Sequence, residues 1–93
     1  MNGKNDLENM QNELYAAIAA TDSAEKAQSL LADLCSKREI EQMAQRLRAA
    51  KLLFDRLTYN EVIEATGISS ATLSRVSRCV QYGSGYSRFL KKE

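Results

Sequence analysis

Apolar residues recur along this chain at spacings of three and four, which is the pattern of amphipathic helices. The first series predicts a helix over residues 5–20 and consists of Leu7, Met10, Leu14, Ala17 and Ile18. The second series predicts a helix that ends near residue 35 and consists of Ala27, Leu30, Leu31 and Leu34. Between them, residues 21–23 (TDS) offer an N-cap, with Glu25 three residues after Asp22. Each helix has an apolar face to bury, and we expect a partner subunit to cover it.

Two capping boxes, each a hydroxyl side chain followed three residues later by glutamate, mark the starts of the next helices. Residues 36–39 (SKRE) open a long helix that we expect to reach about Asp55. Its apolar face consists of Ile40, Met43, Ala44, Leu47, Ala50 and Phe54. Residues 58–61 (TYNE) open a short helix that ends at Thr66. The following Gly67 stands where a helix ends in a left-handed residue, which glycine adopts at the lowest cost.

A fifth helix follows this turn, capped by Ser69 or Ser70 and reaching about Gln81. Residues 83–85 (GSG) break it, and a last short helix is expected over residues 86–92. That helix should turn Phe89 and Leu90 inward and Lys91 and Lys92 outward. The sequence therefore predicts an all-α fold of about six helices, with a helix-turn-helix at residues 58–81.

The two helices of this motif have apolar residues that can form a shared seam. These residues are Val62, Thr66, Ile68, Leu73 and Val76. The opposite side of the second helix carries Ser70, Ala71, Ser74, Arg75 and Arg78, with Thr72 at its flank. Small hydroxyl residues allow a helix to approach the major groove, and arginines reach phosphates or guanine edges. This arrangement predicts binding to double-stranded DNA.

The net charge of +1 hides an asymmetry that supports this prediction. Residues 1–35 carry 2 lysines against 6 acidic residues, whereas residues 36–93 carry 11 basic residues against 6 acidic ones. No Asp or Glu occurs between Glu64 and Glu93. An acid-free basic segment avoids repelling a polyanion, although solvated helix faces can have the same composition.

Several classes of protein are disfavoured by what the sequence contains. There is no histidine, and Cys35 and Cys79 are too isolated to suggest a metal site, so we expect no metal and no cofactor. No glycine-rich phosphate loop or base beside a serine suggests an enzyme. The longest apolar run is too short to span a bilayer, and we expect a cytoplasmic protein with free thiols and no membrane contact.

Four segments together resemble the Trp-repressor superfamily, and in particular its YerC/YecD branch. They are residues 34–39 (LCSKRE), 43–48 (MAQRLR), 57–62 (LTYNEV) and 67–75 (GISSATLSR). The resemblance covers about residues 34–90. It implies one domain over residues 1–93 and an intertwined homodimer in which residues 1–35 are dimerisation helices.

The resemblance also implies roles for individual residues. Ser70, Ala71 and Thr72 would face the bases at the tip of the recognition helix. The family contacts or approaches the DNA backbone at the positions of Asn60, Ile63, Gly67, Ser69 and Ser74. Ile63 replaces a cation of the Trp repressor, so we do not count it as a DNA contact.

An effector pocket is implied at Ser36, Arg46, Arg75, Val76 and Cys79. Arg46 and Arg75 match the two arginines that flank the family's ligand, and Ser36 replaces a threonine. Val76, however, replaces a glycine that makes room for the indole ring, and Cys79 replaces a serine that holds the ligand's amino group. We therefore expect a small-molecule effector other than tryptophan, or none. The arginines could instead pair with Glu39 and Glu41.

The hypothesis from sequence is a homodimeric, sequence-specific transcriptional regulator, acting as a repressor, that does not respond to tryptophan. The alternative is a helical module that binds another protein and no DNA. The acidic N-terminal helices motivate this alternative.

Overall fold

The computed structural model describes the backbone of residues 3–91 and the side chains of residues 5–91. Within that range the chain forms six α-helices and no strand. They are α1 (Gly3–Ala20), α2 (Ala24–Leu34), α3 (Lys37–Phe54), α4 (Tyr59–Thr66), α5 (Ser70–Tyr82) and α6 (Gly85–Leu90). The predicted all-α class and number of helices are confirmed. Lys92 lies outside the described residues.

The chain divides into two compact units, Met1–Lys37 and Arg38–Glu93. The single domain expected from the sequence stays a prediction. None of the described helices is both long enough and apolar enough to cross a membrane. The side chains described include no cluster of His, Cys, Asp or Glu suited to a metal ion.

The N-terminal unit contains α1 and α2, joined by a tight connection. Ser23 caps α2, because its Oγ accepts the Lys26 N–H at 3.1 Å. The Asp22 carboxylate pairs with Lys26 Nζ at 2.9 Å on the surface, so Ser23 is the one of residues 21–23 that supplies the expected cap. The larger apolar side chains of α1 are 39–62% exposed; they are Leu7, Met10, Leu14, Tyr15 and Ile18.

The C-terminal unit has a small core that is apolar except for the buried Ser77. Its buried residues come from α3, α4, the following turn and α5; they are Ala49, Ala50, Val62, Ile68, Leu73 and Val76. Leu53, Val80, Tyr86 and Leu90 pack around this core. The prediction that Phe89 points inward is wrong, since this side chain is 82% exposed. Successive helical residues lie about 100° apart, so Leu90 can pack inward while Phe89 faces away.

The end of α3 positions the next helix by a Schellman-type turn. The Arg56 N–H donates to the Leu53 carbonyl at 3.0 Å, and the Leu57 N–H donates to the Leu52 carbonyl at 3.1 Å. Arg56 takes the left-handed conformation that this turn requires, with φ of 68°. This turn ends α3, and Thr58 follows it as the N-cap of α4.

Candidate DNA interface

A complete capping box fixes the start of α4. Thr58 Oγ1 accepts the Glu61 N–H at 3.2 Å, and the Glu61 carboxylate accepts the Thr58 N–H at 2.8 Å. These hydrogen bonds, led by the one from the Thr58 backbone, lower the pKa of Glu61 below its usual value near 4.5. The box predicted at residues 58–61 is confirmed, and it leaves Asn60 exposed in the first turn of α4.

The turn between α4 and α5 depends on a left-handed glycine. Gly67 has φ of 73°, and its N–H donates to the Ile63 carbonyl at 2.8 Å. Ile68, the next residue, is 1% exposed and anchors the turn in the core. This is the geometry predicted at Gly67, and it turns the chain sharply enough for α5 to pack against α4.

Ser69 begins α5 as its N-cap. Its Oγ accepts the Thr72 N–H at 3.2 Å and donates to Thr72 Oγ1 at 2.9 Å. Of the two serines that could cap this helix, Ser69 is the one that does. The hydroxyl groups of Ser69 and Thr72 are therefore held in fixed positions at the N-terminal end of α5.

The two sides of α5 differ in burial. Leu73, Val76 and Ser77 are buried against the rest of the unit, and Val80 is half-buried. The predicted inner side is thus confirmed. The residues expected to face DNA lie on the other side, where Ser70, Ala71, Ser74, Arg75 and Arg78 are exposed and Thr72 is half-buried. No acidic residue occupies the first turn of α5.

A surface cleft of about 300 Å³ lies beside α5. It brings together four of the five residues expected to form an effector pocket: Arg46, Arg75, Val76 and Cys79. Thr72 and Tyr86 complete its lining. The fifth residue, Ser36, belongs to the N-terminal unit and stays a prediction from the resemblance.

Two residues of this region were not found from the sequence. Tyr86 lies on α6, beyond the break at residues 83–85. The helical periodicity of α5 stops at this break, so it could not predict which way Tyr86 faces. Gln45 lies on α3, where its Nε2 donates to the carbonyl oxygen of Thr66 at 2.9 Å. Nothing in the sequence distinguishes Gln45 from Gln42 on the same helix.

A short capped helix, a left-handed glycine and a second capped helix with an exposed polar side define a helix-turn-helix protein. The chain belongs to the Trp repressor family, because the family model described as Trp repressor protein matches residues 8–93. The predicted family is therefore confirmed.

Relatives of known sequence or structure agree with this assignment. The chain is 39% identical over 71 residues to YerC of Bacillus subtilis (strain 168), a protein described as uncharacterised. That match covers 76% of this chain and 68% of YerC, which confirms the predicted branch.

Two solved structures are similar to this chain. One is the crystal structure of a candidate Trp repressor from Staphylococcus aureus, with a TM-score of 0.82 and 35% identity. The match covers 87% of this chain and 82% of the Staphylococcus aureus chain. The other is the crystal structure of a TrpR-like protein from Eubacterium eligens ATCC 27750, with a TM-score of 0.79 and 36% identity. That match covers 87% of this chain and 91% of the Eubacterium eligens chain.

Proposed function

We propose that this protein is a sequence-specific DNA-binding transcriptional regulator that acts as a repressor and is not an enzyme. One observation carries the proposal: the side of α5 that faces away from the core is exposed and consists of small residues and two arginines. A helix of this kind fits the major groove, because small side chains allow close approach and guanidinium groups bind phosphates or guanine. Family membership supports the same function.

The residues of the motif divide by their expected contacts with duplex DNA. Ser70, Ala71 and Thr72 would approach the base edges, since they form the first turn of α5. The residues expected to contact the phosphate backbone or lie beside it are Asn60, Gly67, Ser69 and Ser74. Arg75 and Arg78 lie further along the exposed side, where their length allows them to reach phosphates or guanine.

We also propose that the protein is a homodimer. The observation that supports it is the exposure of five large apolar residues on α1, an arrangement that is costly in water and suits an interface. In a two-fold dimer the recognition helices would lie about 34 Å apart and contact successive major grooves. The natural compartment for such a protein is the cytoplasm, where bacterial DNA is accessible.

The cleft beside α5 supports an effector site whose ligand is not tryptophan. Val76 is 2% exposed and fills the position of the family's glycine, and overpacking of this kind typically costs about 1–3 kcal/mol. Cys79 has a thiol where the family's serine holds the ligand's charged amino group. Loss of that hydrogen bond would cost about 1.5–3 kcal/mol of binding free energy. The double variant V76G/C79S should therefore gain tryptophan affinity in isothermal calorimetry. No gain would mean that Val76 and Cys79 are not the residues that exclude tryptophan from the cleft.

Selection of purified protein on a randomised duplex library, with and without tryptophan, tests the function directly. We expect a palindromic motif with half-sites about one helical turn apart, and the same motif in both conditions. No enrichment in either condition would contradict DNA recognition. Capture of a partner that survives nuclease treatment, together with no DNA affinity at low salt, would establish the alternative of a protein-binding module.

A charge-matched pair of variants tests the assignment of the arginines. R75A/R78A should abolish specific binding and reduce the dependence of affinity on salt, because phosphate contacts release counterions. R48A/K51A removes the same charge from α3 and should bind nearly as well as the wild type. Equal losses in both variants would mean that α5 is not the DNA-contacting helix.

A further inference from the structure

One carbonyl group at the end of α4 accepts a hydrogen bond from another helix. The last carbonyls of a helix have no partner inside the helix. Here a side chain from a different helix supplies one, since Gln45 Nε2 on α3 donates to the Thr66 carbonyl oxygen at 2.9 Å. Gln45 and Thr66 are 21 residues apart, so this hydrogen bond joins two helices of the C-terminal unit at the turn of the helix-turn-helix.

The Thr66 side chain extends this contact through the turn. Its Oγ1 donates to the Val62 carbonyl at 2.7 Å and accepts the Ile68 N–H at 3.2 Å. The turn is thus held by its own backbone bond at Gly67, by the Thr66 hydroxyl and by the Gln45 amide. Ile68 is almost fully buried, so water has little access to replace the Thr66 hydroxyl as the acceptor of its N–H.

The Gln45 amide also lies beside Gly67, the left-handed residue of the turn. A Cβ atom at Gly67 would lie 3.7 Å from Gln45 Nε2, so the amide rests against the open side of the glycine. Ser69, two residues later, caps α5. The direction in which α5 leaves α4 is therefore set by residues 66–69, and Gln45 is the residue of α3 hydrogen-bonded to them.

We infer that Gln45 is a positioning residue for DNA recognition: by holding the Thr66 carbonyl it fixes the angle at which α5 meets the bases. The inference rests on the proposed function. It assigns no contact between Gln45 and DNA. Base readout needs side chains placed to within fractions of an ångström, whereas attraction to phosphates tolerates small rotations. Loss of the Gln45 bond should therefore reduce specific binding more than non-specific binding.

Three variants test this inference. Q45M keeps the length of the side chain and removes its donor, because a thioether cannot donate to a carbonyl. Q42M makes the same change on the same helix at an exposed glutamine that has no hydrogen bond to the turn, and it serves as the matched control. T66V removes the hydroxyl from the turn while keeping its shape and leaving α3 unchanged.

The measurement is the ratio of affinities for the selected palindrome and a scrambled duplex of equal length. We expect Q45M, which loses one hydrogen bond, to lower this ratio by about threefold to tenfold. T66V loses the two hydrogen bonds of its hydroxyl and should lower the ratio at least as much. The scrambled-duplex affinity and the salt dependence should stay within about twofold of wild type. In the free protein, hydrogen exchange of the Ile68 amide should be faster in both variants than in wild type or Q42M.

The outcomes separate this inference from the proposed function. A wild-type protein that binds no duplex would overturn both. If wild type shows specificity and Q45M retains its full ratio, only the role of Gln45 is overturned, even if Q45M has a lower melting temperature. A purely structural residue would lower stability without changing the ratio at temperatures well below unfolding. If Q45M does not fold, a further variant, Q45N, decides by the same two readouts, because its amide is one methylene too short to reach the Thr66 carbonyl.

Discussion

Two helices of the C-terminal unit end in a left-handed residue, but only one of these residues is glycine. Arg56 follows α3 with φ of 68°, and Gly67 follows α4 with φ of 73°. The left-handed conformation costs about 1–2 kcal/mol for a residue with a side chain, because Cβ crowds the next carbonyl. R56G should therefore stabilise the protein, and G67A should destabilise it.

The surroundings of both positions allow the size of these effects to be worked out. A Cβ at Gly67 would meet its nearest neighbour at 3.7 Å, an ordinary contact, so G67A carries the backbone cost alone. Arg56 is exposed, so R56G gives up little packing. Glycine's extra freedom in the unfolded chain offsets roughly 0.5–1 kcal/mol of each effect. We expect a net change of about 1 kcal/mol in opposite directions, or roughly 4–8 °C in Tm.

The assay is urea unfolding followed by circular dichroism. Protein concentration must be equal in all samples, because association changes apparent stability. R56A is the control: it removes the guanidinium group and keeps a Cβ in the left-handed conformation. If R56G and R56A change stability equally, the effect belongs to the arginine side chain and the argument from backbone conformation is refuted. A stabilising G67A would refute it as well.

Three further changes test local features of the fold. S69A removes the acceptor of the Thr72 N–H and should cost about 1 kcal/mol of unfolding free energy, whereas S70A on the exposed side should be near neutral; equal effects would contradict the cap. G83A would place a Cβ 2.8 Å from the Cys79 carbonyl oxygen and should lower Tm, whereas G85A has open space; an unchanged Tm in G83A would show that the helix end can shift freely. The pKa of Glu61 is lowered in the folded state, so its stabilisation should be complete above pH 4.5 and disappear as pH falls through the folded pKa. The stability difference between wild type and E61Q, measured by urea unfolding from neutral to acid pH, should shrink in acid; a constant difference would contradict this linkage.

Features decided by neighbouring residues could be predicted from the sequence. The capping box at residues 58–61 and the glycine that ends α4 act over three or four positions. The same kind of signal narrowed the cap of α5 to Ser69 or Ser70. Burial of Leu73 and Val76 followed from helical periodicity alone, because only one side of α5 can face the core. These signals were sufficient to locate the helix-turn-helix.

Features that depend on distant parts of the chain could not be predicted. Gln45 and Thr66 are 21 residues apart, and no periodicity connects a glutamine of one helix to the last carbonyl of another. The left-handed conformation of Arg56 was missed because arginine gives no signal for it. Phe89 was placed wrongly since, in a helix of six residues, apolar character does not show which of two neighbours faces inward.

The proposed DNA interface and the cleft beside α5 overlap, and this overlap decides which substitutions are informative. Thr72 and Arg75 line the cleft and also belong to the proposed DNA interface on α5. Any molecule in the cleft would therefore contact side chains that we assign to DNA binding, and changing Arg75 alone cannot separate the two proposed roles. Cys79 and Tyr86 line the cleft but are not among the proposed DNA contacts. Ser70 and Ala71 are proposed DNA contacts but do not line the cleft. A change at Cys79 that alters DNA affinity only when a small molecule is present would assign the cleft to regulation. A change at Ser70 that alters the DNA sequence preferred by the protein would assign α5 to recognition.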